Sequence, residues 1–208
     1  MSSTFIIIGA TVIVSFICFN NAELKYKLIF YPFQMNGKKE EWYRFITSGL
    51  IHADYIHLFF NMFTLYFFGR NVEAYLQYFG GPMPEIKFWI LYLGSMIMGS
   101  MFSYYKNQNN PNYMALGASG AVSGILFSSI LFDPWDIIYV YMIPIPGILF
   151  GVLYLWYSAK MSKQGNDNIG HDAHIYGAIF GVLLTIAFNP FEILPMFIDN
   201  LFSPNFNF

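Results

Sequence analysis

The run Met114-Ala115-Leu116-Gly117-Ala118-Ser119-Gly120-Ala121-Val122-Ser123-Gly124-Ile125-Leu126-Phe127-Ser128-Ser129-Ile130-Leu131-Phe132 decides the reading of this chain. It carries no charged side chain, and its length suits a helix crossing a bilayer, which needs about 20 mostly apolar residues. Working outward, five more stretches qualify or nearly so: roughly 4–19, 54–79 (amphipathic beyond Gly69), 86–105, 135–157 after a turn at Asp133-Pro134, and 173–188, ending before Pro190. The predicted fold is all-α: a polytopic membrane protein with a bundle of six transmembrane helices, forming a single domain over 1–208.

Composition agrees with that reading. Of the 208 residues 56% are hydrophobic and only 11% charged, whereas soluble domains carry about 25% charged residues. The 24 Phe and 16 Tyr are expected where rings face lipid or sit among headgroups. The length leaves no room for a separate soluble domain. A net charge of -2 without a basic run gives no sign of nucleic-acid binding. The lone Cys18 excludes an intramolecular disulfide and any multi-cysteine metal site, and its apolar run points to core packing. The first stretch lacks a basic n-region and a small-residue cleavage site, so it is expected to be retained rather than removed as a signal peptide.

The connections differ in character. Residues 20–53 include Tyr31-Pro32, Asn36-Gly37 and several charges, too polar to span and too aromatic for a plain linker. They are predicted to form an interfacial first loop. Residues 158–172, with Lys160, Lys163, Gln164 and Gly170, are predicted to be a mobile loop.

Polar residues inside a bilayer are costly and by default mark function or interhelical contacts. Alternate threading puts the loops after the first, third and fifth spans on one side. His52, His57, Ser119, His171 and His174 all fall at or just after the points where spans enter from that side. Every histidine therefore gathers at one face, as around an aqueous site. Gly120 and Gly124 recur at a spacing of four, as do Ala173, Gly177 and Gly181. Small residues so spaced form a stripe that lets two helices approach closely. If the stripes face each other, Ser119 and His174 meet at similar depth as nucleophile and general base.

Ser119 lies in Gly117-Ala118-Ser119-Gly120 at the start of a helix. Small neighbours allow a substrate backbone to approach, and first-turn N–H groups are unpaired where an oxyanion would form. On spacing alone Ser119 is also readable as one more small packing residue. His57 and Asn61 lie one turn apart on one face. They could cradle an oxyanion, a donor there being worth about 2.7–4 kcal/mol, or make an interhelical hydrogen bond worth about 0.6–2 kcal/mol.

Taken in order, these residues resemble the rhomboid family of intramembrane serine proteases over most of the chain. Trp42-Tyr43-Arg44-Phe45-Ile46-Thr47 is similar to the Trp/Arg element of that family's first loop. His52, His57-Leu58 and Asn61-Met62 follow at its spacing, and Gly69 to Glu73 matches its GxxxE element. Gly117-Ala118-Ser119-Gly120 resembles the nucleophile motif, and Ala173-His174, Gly177 and Gly181 the last-helix motif. The resemblance implies a rhomboid-like bundle in which Ser119 is the nucleophile and His174 the general base, with no aspartate completing a triad. It implies an oxyanion hole of His57, Asn61 and the Ser119 N–H, structural roles for Trp42, Arg44 and Glu73, and a cap made by the loop before His171. Implied substrates are single-span transmembrane proteins, cut near a helix end and commonly after a small residue, with no metal and no other cofactor.

Two features depart from the family. Its best-known bacterial members place a tyrosine four residues after the nucleophile, stacked on the catalytic histidine, and that position is Ser123 in this chain. The loops after the first, third and fifth spans also hold eight of the ten Lys and Arg: Lys25, Lys27, Lys38, Lys39, Arg44, Lys106, Lys160 and Lys163. The positive-inside rule would put that face in the cytosol, whereas the resemblance implies a bacterial cell membrane with the site opening outward. The expectation adopted is the outward one. Competing readings are a catalytically silent relative that escorts membrane clients, and a metal-dependent protein using the four histidines. The first lacks the expected loss of serine or histidine, and the second lacks a His-Glu-x-x-His pair.

Overall fold

The computed structural model describes residues 2–140, 142–164 and 170–203, and it is mostly helical. Helix α1 (Ser3–Phe19) turns Ser3, Thr4, Ile7, Thr11, Ser15 and Cys18 inward, a helical period built largely from small side chains. Three short helices follow, α2 (Ala22–Leu28), α3 (Pro32–Met35) and α4 (Arg44–Thr47). They occupy the stretch expected to be the first loop. Asn21 starts α2 by accepting a hydrogen bond from the Leu24 N–H at 2.9 Å.

Helix α5 (Tyr55–Phe79) begins where the Asp54 carboxylate accepts the His57 N–H at 2.8 Å. It buries Leu58, Asn61, Met62, Leu65, Gly69, Val72 and Leu76, while Phe59, Phe60, Phe63 and Phe67 stay exposed. Helix α6 (Pro84–Asn107) starts on Pro84, whose missing N–H costs nothing in a first turn. Helix α7 (Ser119–Phe132) lies at the centre of the bundle and is buried from Gly120 to its end. Helices α5, α6 and α9 (His171–Phe188) surround it. Of these elements, α6 and α9 are long and apolar enough by themselves to cross a bilayer, and α1 and α7 are shorter apolar helices.

Three expectations need correction. The fourth stretch, 114–132, is helical only from Ser119. Gly117 takes a φ of 116°, which no helix accommodates, and Ala115 instead pairs with Phe30 through two backbone hydrogen bonds of 3.0 Å. The fifth, 135–157, opens with an antiparallel hairpin of β1 (Ile137–Val140) and β2 (Ile143–Pro146), so the fold is not purely helical. Its Ile, Tyr and Val side chains favour strands, and Pro144 and Pro146 would interrupt a helix but are tolerated in an edge strand. Helix α8 (Gly147–Gln164) starts only after them. Of the predicted loop 158–172, residues 158–164 end α8 and 171–172 begin α9, while 165–169 lie outside the described residues. The last span ends at Phe188 ahead of Pro190, as expected, and Pro190 then opens a further helix, α10 (Pro190–Phe202). That helix is fixed to the end of the bundle away from Ser119, where the Asn200 amide donates to the Phe132 carbonyl at 2.9 Å.

Candidate active site

The site is built where α7 and α9 pack along their glycines. A methyl group on Gly177 would come within 2.2 Å of the Gly120 carbonyl oxygen, and one on Gly181 within 2.5 Å of the Gly124 carbonyl oxygen. Backbone therefore lies on backbone. Below the glycines, the Ser128 and Thr185 hydroxyls meet at 2.8 Å and tie the two helices again. This seam sets the depth of both helix starts, and at its upper end His174 Nε2 lies 2.8 Å from Ser119 Oγ.

Ser119 is the first residue of α7, so its N–H belongs to the unpaired first turn. The strand-like approach to it is held on two sides. The Gly117 N–H donates to the Ser48 carbonyl at 2.9 Å, and the Ala118 N–H donates to His52 Nε2 at 3.4 Å. Because Nε2 accepts, the proton of His52 sits on Nδ1 and points at Ser15 Oγ, 3.0 Å away. Ser15 in turn donates to the Leu50 carbonyl at 3.0 Å. This relay needs neutral imidazole, and burial holds His52 there by pushing its pKa down to about 3. His52 lies ahead of α5 and supports the loop rather than lining the site.

His57 is different. Its ring lies against Gly117, where a methyl group would fall 2.6 Å from His57 Cε1. The glycine is thus required both by its positive φ and by this contact. Asn61, one turn further along α5, is buried, and its amide donates to the His57 carbonyl at 3.0 Å. Beside Ser119 lies a cavity of about 50 Å³ bordered by Ser48, Met96, Ser100, Leu116, Gly120 and Ala173.

His171 is buried with its ring 5.7 Å from that of His174, while Arg44, Glu73 and Trp42 belong to the first loop and the α1–α5 contact. Arg44 is 2% exposed, with its guanidinium donating to Glu41 Oε2 at 2.6 Å and to the Tyr26 and Ile29 carbonyls at 2.8 Å each. That guanidinium holds the Glu41 carboxyl below the usual range. Glu73 accepts the Thr4 N–H at 3.1 Å and the Ser2 hydroxyl at 2.5 Å, so α5 supplies the cap of α1. Trp42 is 50% exposed. Asp172 is engaged by Lys106 at 2.7 Å and by the Ser162 hydroxyl.

Two residues were missed by sequence reasoning. Ser15 gives no signal beyond being a small polar residue in an apolar run. Tyr154 of α8 stands with its ring 5.9 Å from the His174 ring at an interplanar angle of 24°, and its hydroxyl lies 2.7 Å from Ser123 Oγ. Only the departure at Ser123 hinted that another group would be needed there.

A helical bundle with a serine hydroxyl and an imidazole in hydrogen-bond reach at adjoining helix starts defines a class of helical proteins carrying a candidate serine-hydrolase site. A Rhomboid domain model matches residues 39–191, and the chain belongs to the rhomboid family, whose members are integral membrane proteins. It is 31% identical over 159 residues to RHOMBOID-like protein 12, mitochondrial, of Arabidopsis thaliana, covering 69% of this chain and 45% of that protein. It is 30% identical over 151 residues to the putative rhomboid protease YdcA of Bacillus subtilis, covering 70% and 66%. To the rhomboid protease AarA of Providencia stuartii it is 26% identical over 164 residues, covering 71% and 56%. The chain thus spans roughly half to two thirds of the length of these curated relatives.

Proposed function

We propose that this protein is an intramembrane serine endopeptidase acting through a dyad of Ser119 and His174. The observation that carries the reading is the 2.8 Å contact between His174 Nε2 and Ser119 Oγ at the first residue of α7. Protease-named relatives support the same activity.

In this reading α1, α5, α6, α7, α8 and α9 are the six spans. A peptide bond within a lipid-embedded helix has its carbonyl bonded internally and no water nearby, so the substrate must unwind at the site. His174 Nε2 accepts the Ser119 proton as Oγ attacks the carbonyl carbon. The C–N bond then breaks, His174 returns the proton to the leaving amine, and water clears the acyl-enzyme by the same route in reverse. The oxyanion is held by the Ser119 N–H together with His57 and Asn61. Asn61 serves with the second hydrogen of its amide, the first being held by the His57 carbonyl. Gly117, Gly120, Gly177 and Gly181 set the backbone spacing. Arg44 and Glu73 act structurally, the first by gathering the first loop and the second by capping α1, and Trp42 belongs with them at the loop surface. The substrates are single-span membrane proteins, and the cavity beside Ser119, with room for a methyl-sized side chain or a few waters, favours cleavage after a small residue. The enzyme needs no metal. It belongs in a bacterial cell membrane with its site opening to the extracytoplasmic side.

The test is labelling of the purified protein by a serine-reactive fluorophosphonate, with and without chelator. Labelling that vanishes in Ser119→Ala and ignores chelator supports the protease. Function that depends on metal, with no labelling of the wild type, supports the metal-dependent alternative instead.

A further inference from the structure

The dyad has a third helix attached to it. Ser123 lies one turn after Ser119 on α7 and so faces the same way. Its hydroxyl meets the Tyr154 hydroxyl at 2.7 Å, and the Tyr154 ring lies nearly parallel to the His174 imidazole, at 5.9 Å and 24°. That spacing lies within the range of offset-stacked aromatic pairs. Four side chains thus close a ring across three helices: Ser119 and Ser123 from α7, Tyr154 from α8 and His174 from α9.

Tyr154 is fixed at both ends. One turn earlier, Gly151 brings the α8 backbone close to Phe127, where a methyl group would fall 3.3 Å from the Phe127 ring. The Tyr154 ring also packs on Phe127 and Phe150, each at 5.7 Å between centroids. At its far end the hydroxyl is held by Ser123. Nearer the rim, the Ser162 hydroxyl of α8 donates to Asp172, two residues before His174. Helix α8 is therefore fastened to the start of α9 at two depths, although only Gly147, Gly151 and Ser158 of that helix are themselves buried.

We propose that Tyr154, reaching across from α8, is a positioning residue for His174, and that Ser123 serves it by holding its hydroxyl. The serine at that position is then a partner of the orienting ring rather than a gap left by a missing one. Imidazole alignment depends on where α8 sits, because the orienting ring is carried by a helix other than the nucleophile's. The inference rests on Ser119 and His174 acting as the dyad.

The experiment compares wild type, Tyr154→Phe, Tyr154→Leu, Tyr154→Ala, Ser123→Ala and the double variant Ser123→Tyr with Tyr154→Ala, each in liposomes with a model single-span substrate. Ser119→Ala and His174→Ala are run beside them, and thermal stability is followed throughout. Tyr154→Leu is expected to lower kcat by about 10- to 100-fold, the scale of a misplaced catalytic group, with KM changed less than about twofold. Tyr154→Phe and Ser123→Ala keep the ring and are expected to lose only about two- to fivefold, the effect of one neutral hydrogen bond. The double variant returns a ring to the imidazole from α7 and is expected to exceed Tyr154→Ala by about tenfold. A Tyr154→Leu variant with wild-type kcat overturns the proposal, as does a loss that falls on KM alone or a stably folded double variant no faster than Tyr154→Ala. If Ser119→Ala or His174→Ala still cleaves, the dyad itself fails; if both are inactive while Tyr154→Leu is as fast as wild type, only this inference does.

Discussion

Gly177 packs directly on Gly120, so closely that a methyl group on the former would reach within 2.2 Å of the latter's carbonyl oxygen. The contact involves the residue after Ser119 and the residue three after His174, and the two helices cannot separate there without moving the pair. Close backbone approach of this kind is what small residues contribute to helix packing within a bilayer.

Gly177→Ala is accordingly expected to destabilise the protein by about 1–3 kcal/mol, the usual cost of overpacking, and to lower kcat by about 100-fold through misalignment. Thermal unfolding in detergent and cleavage rates would be measured together. Wild-type rates in this variant would mean that the seam does not set the dyad.

The relay from Ala118 through His52 and Ser15 to Leu50 makes an acid-stability prediction. The pKa of His52 is lowered from 6.5 to about 3 by burial. Between those values the unfolded chain binds a proton that the folded one refuses, so stability falls as pH drops through that window. The slope from this group reaches at most about 1.4 kcal/mol per pH unit. His52→Gln should melt lower than wild type at pH 7.5, having lost part of the relay. Its melting temperature should then change less between about pH 6.5 and 4.5 than that of wild type. Parallel curves would show that His52 is not the titrating group.

Arg44 should tolerate no replacement well. Its guanidinium is almost fully buried and serves Glu41 and two backbone carbonyls at once. Arg44→Ala strands those acceptors and is expected to cost about 3 kcal/mol. Arg44→Lys recovers only part, because an ammonium lacks the planar fork. Equal stability of the lysine variant and wild type would argue against this role.

Four of the apolar helices were legible because apolar runs and their ends are local features. Ser3–Phe19, Tyr55–Phe79, Pro84–Asn107 and His171–Phe188 lie within a few residues of the stretches read from hydropathy. Hydropathy alone does not distinguish a strand from a helix, so Ile137–Pro146 was absorbed into a span. The strand-like approach to Ser119 was absorbed likewise, since a positive φ at Gly117 leaves no mark in an apolar count. Pro190 signals a stop or a start with equal force, and it opens α10. In the site, the glycine spacing of four made the meeting of α7 and α9 readable. Tyr154 and Ser15 were not, because each matters only through a neighbour at least 20 residues away in sequence: His174 and Ser123 for Tyr154, His52 for Ser15.

The orientation of the protein can be tested by its charge placement. Lys106 and Lys160 lie near the end of the bundle that carries Ser119, and Arg70 and Lys87 lie elsewhere along α5 and α6. Cysteine substituted for Lys106 in a Cys18→Ser background should react with a membrane-impermeant maleimide added outside intact cells. Protection from that reagent, with labelling only after lysis, would place the site in the cytosol, as the positive-inside rule has it.

The most direct measurement is the turnover of a model single-span substrate in liposomes by wild type, Ser119→Ala and His174→Ala, each checked for native melting. The wild type is expected to cut the substrate within or near its transmembrane helix, and both variants to lose at least about 1,000-fold in kcat. Undiminished cleavage by either folded variant would contradict the assignment of these two residues as nucleophile and base.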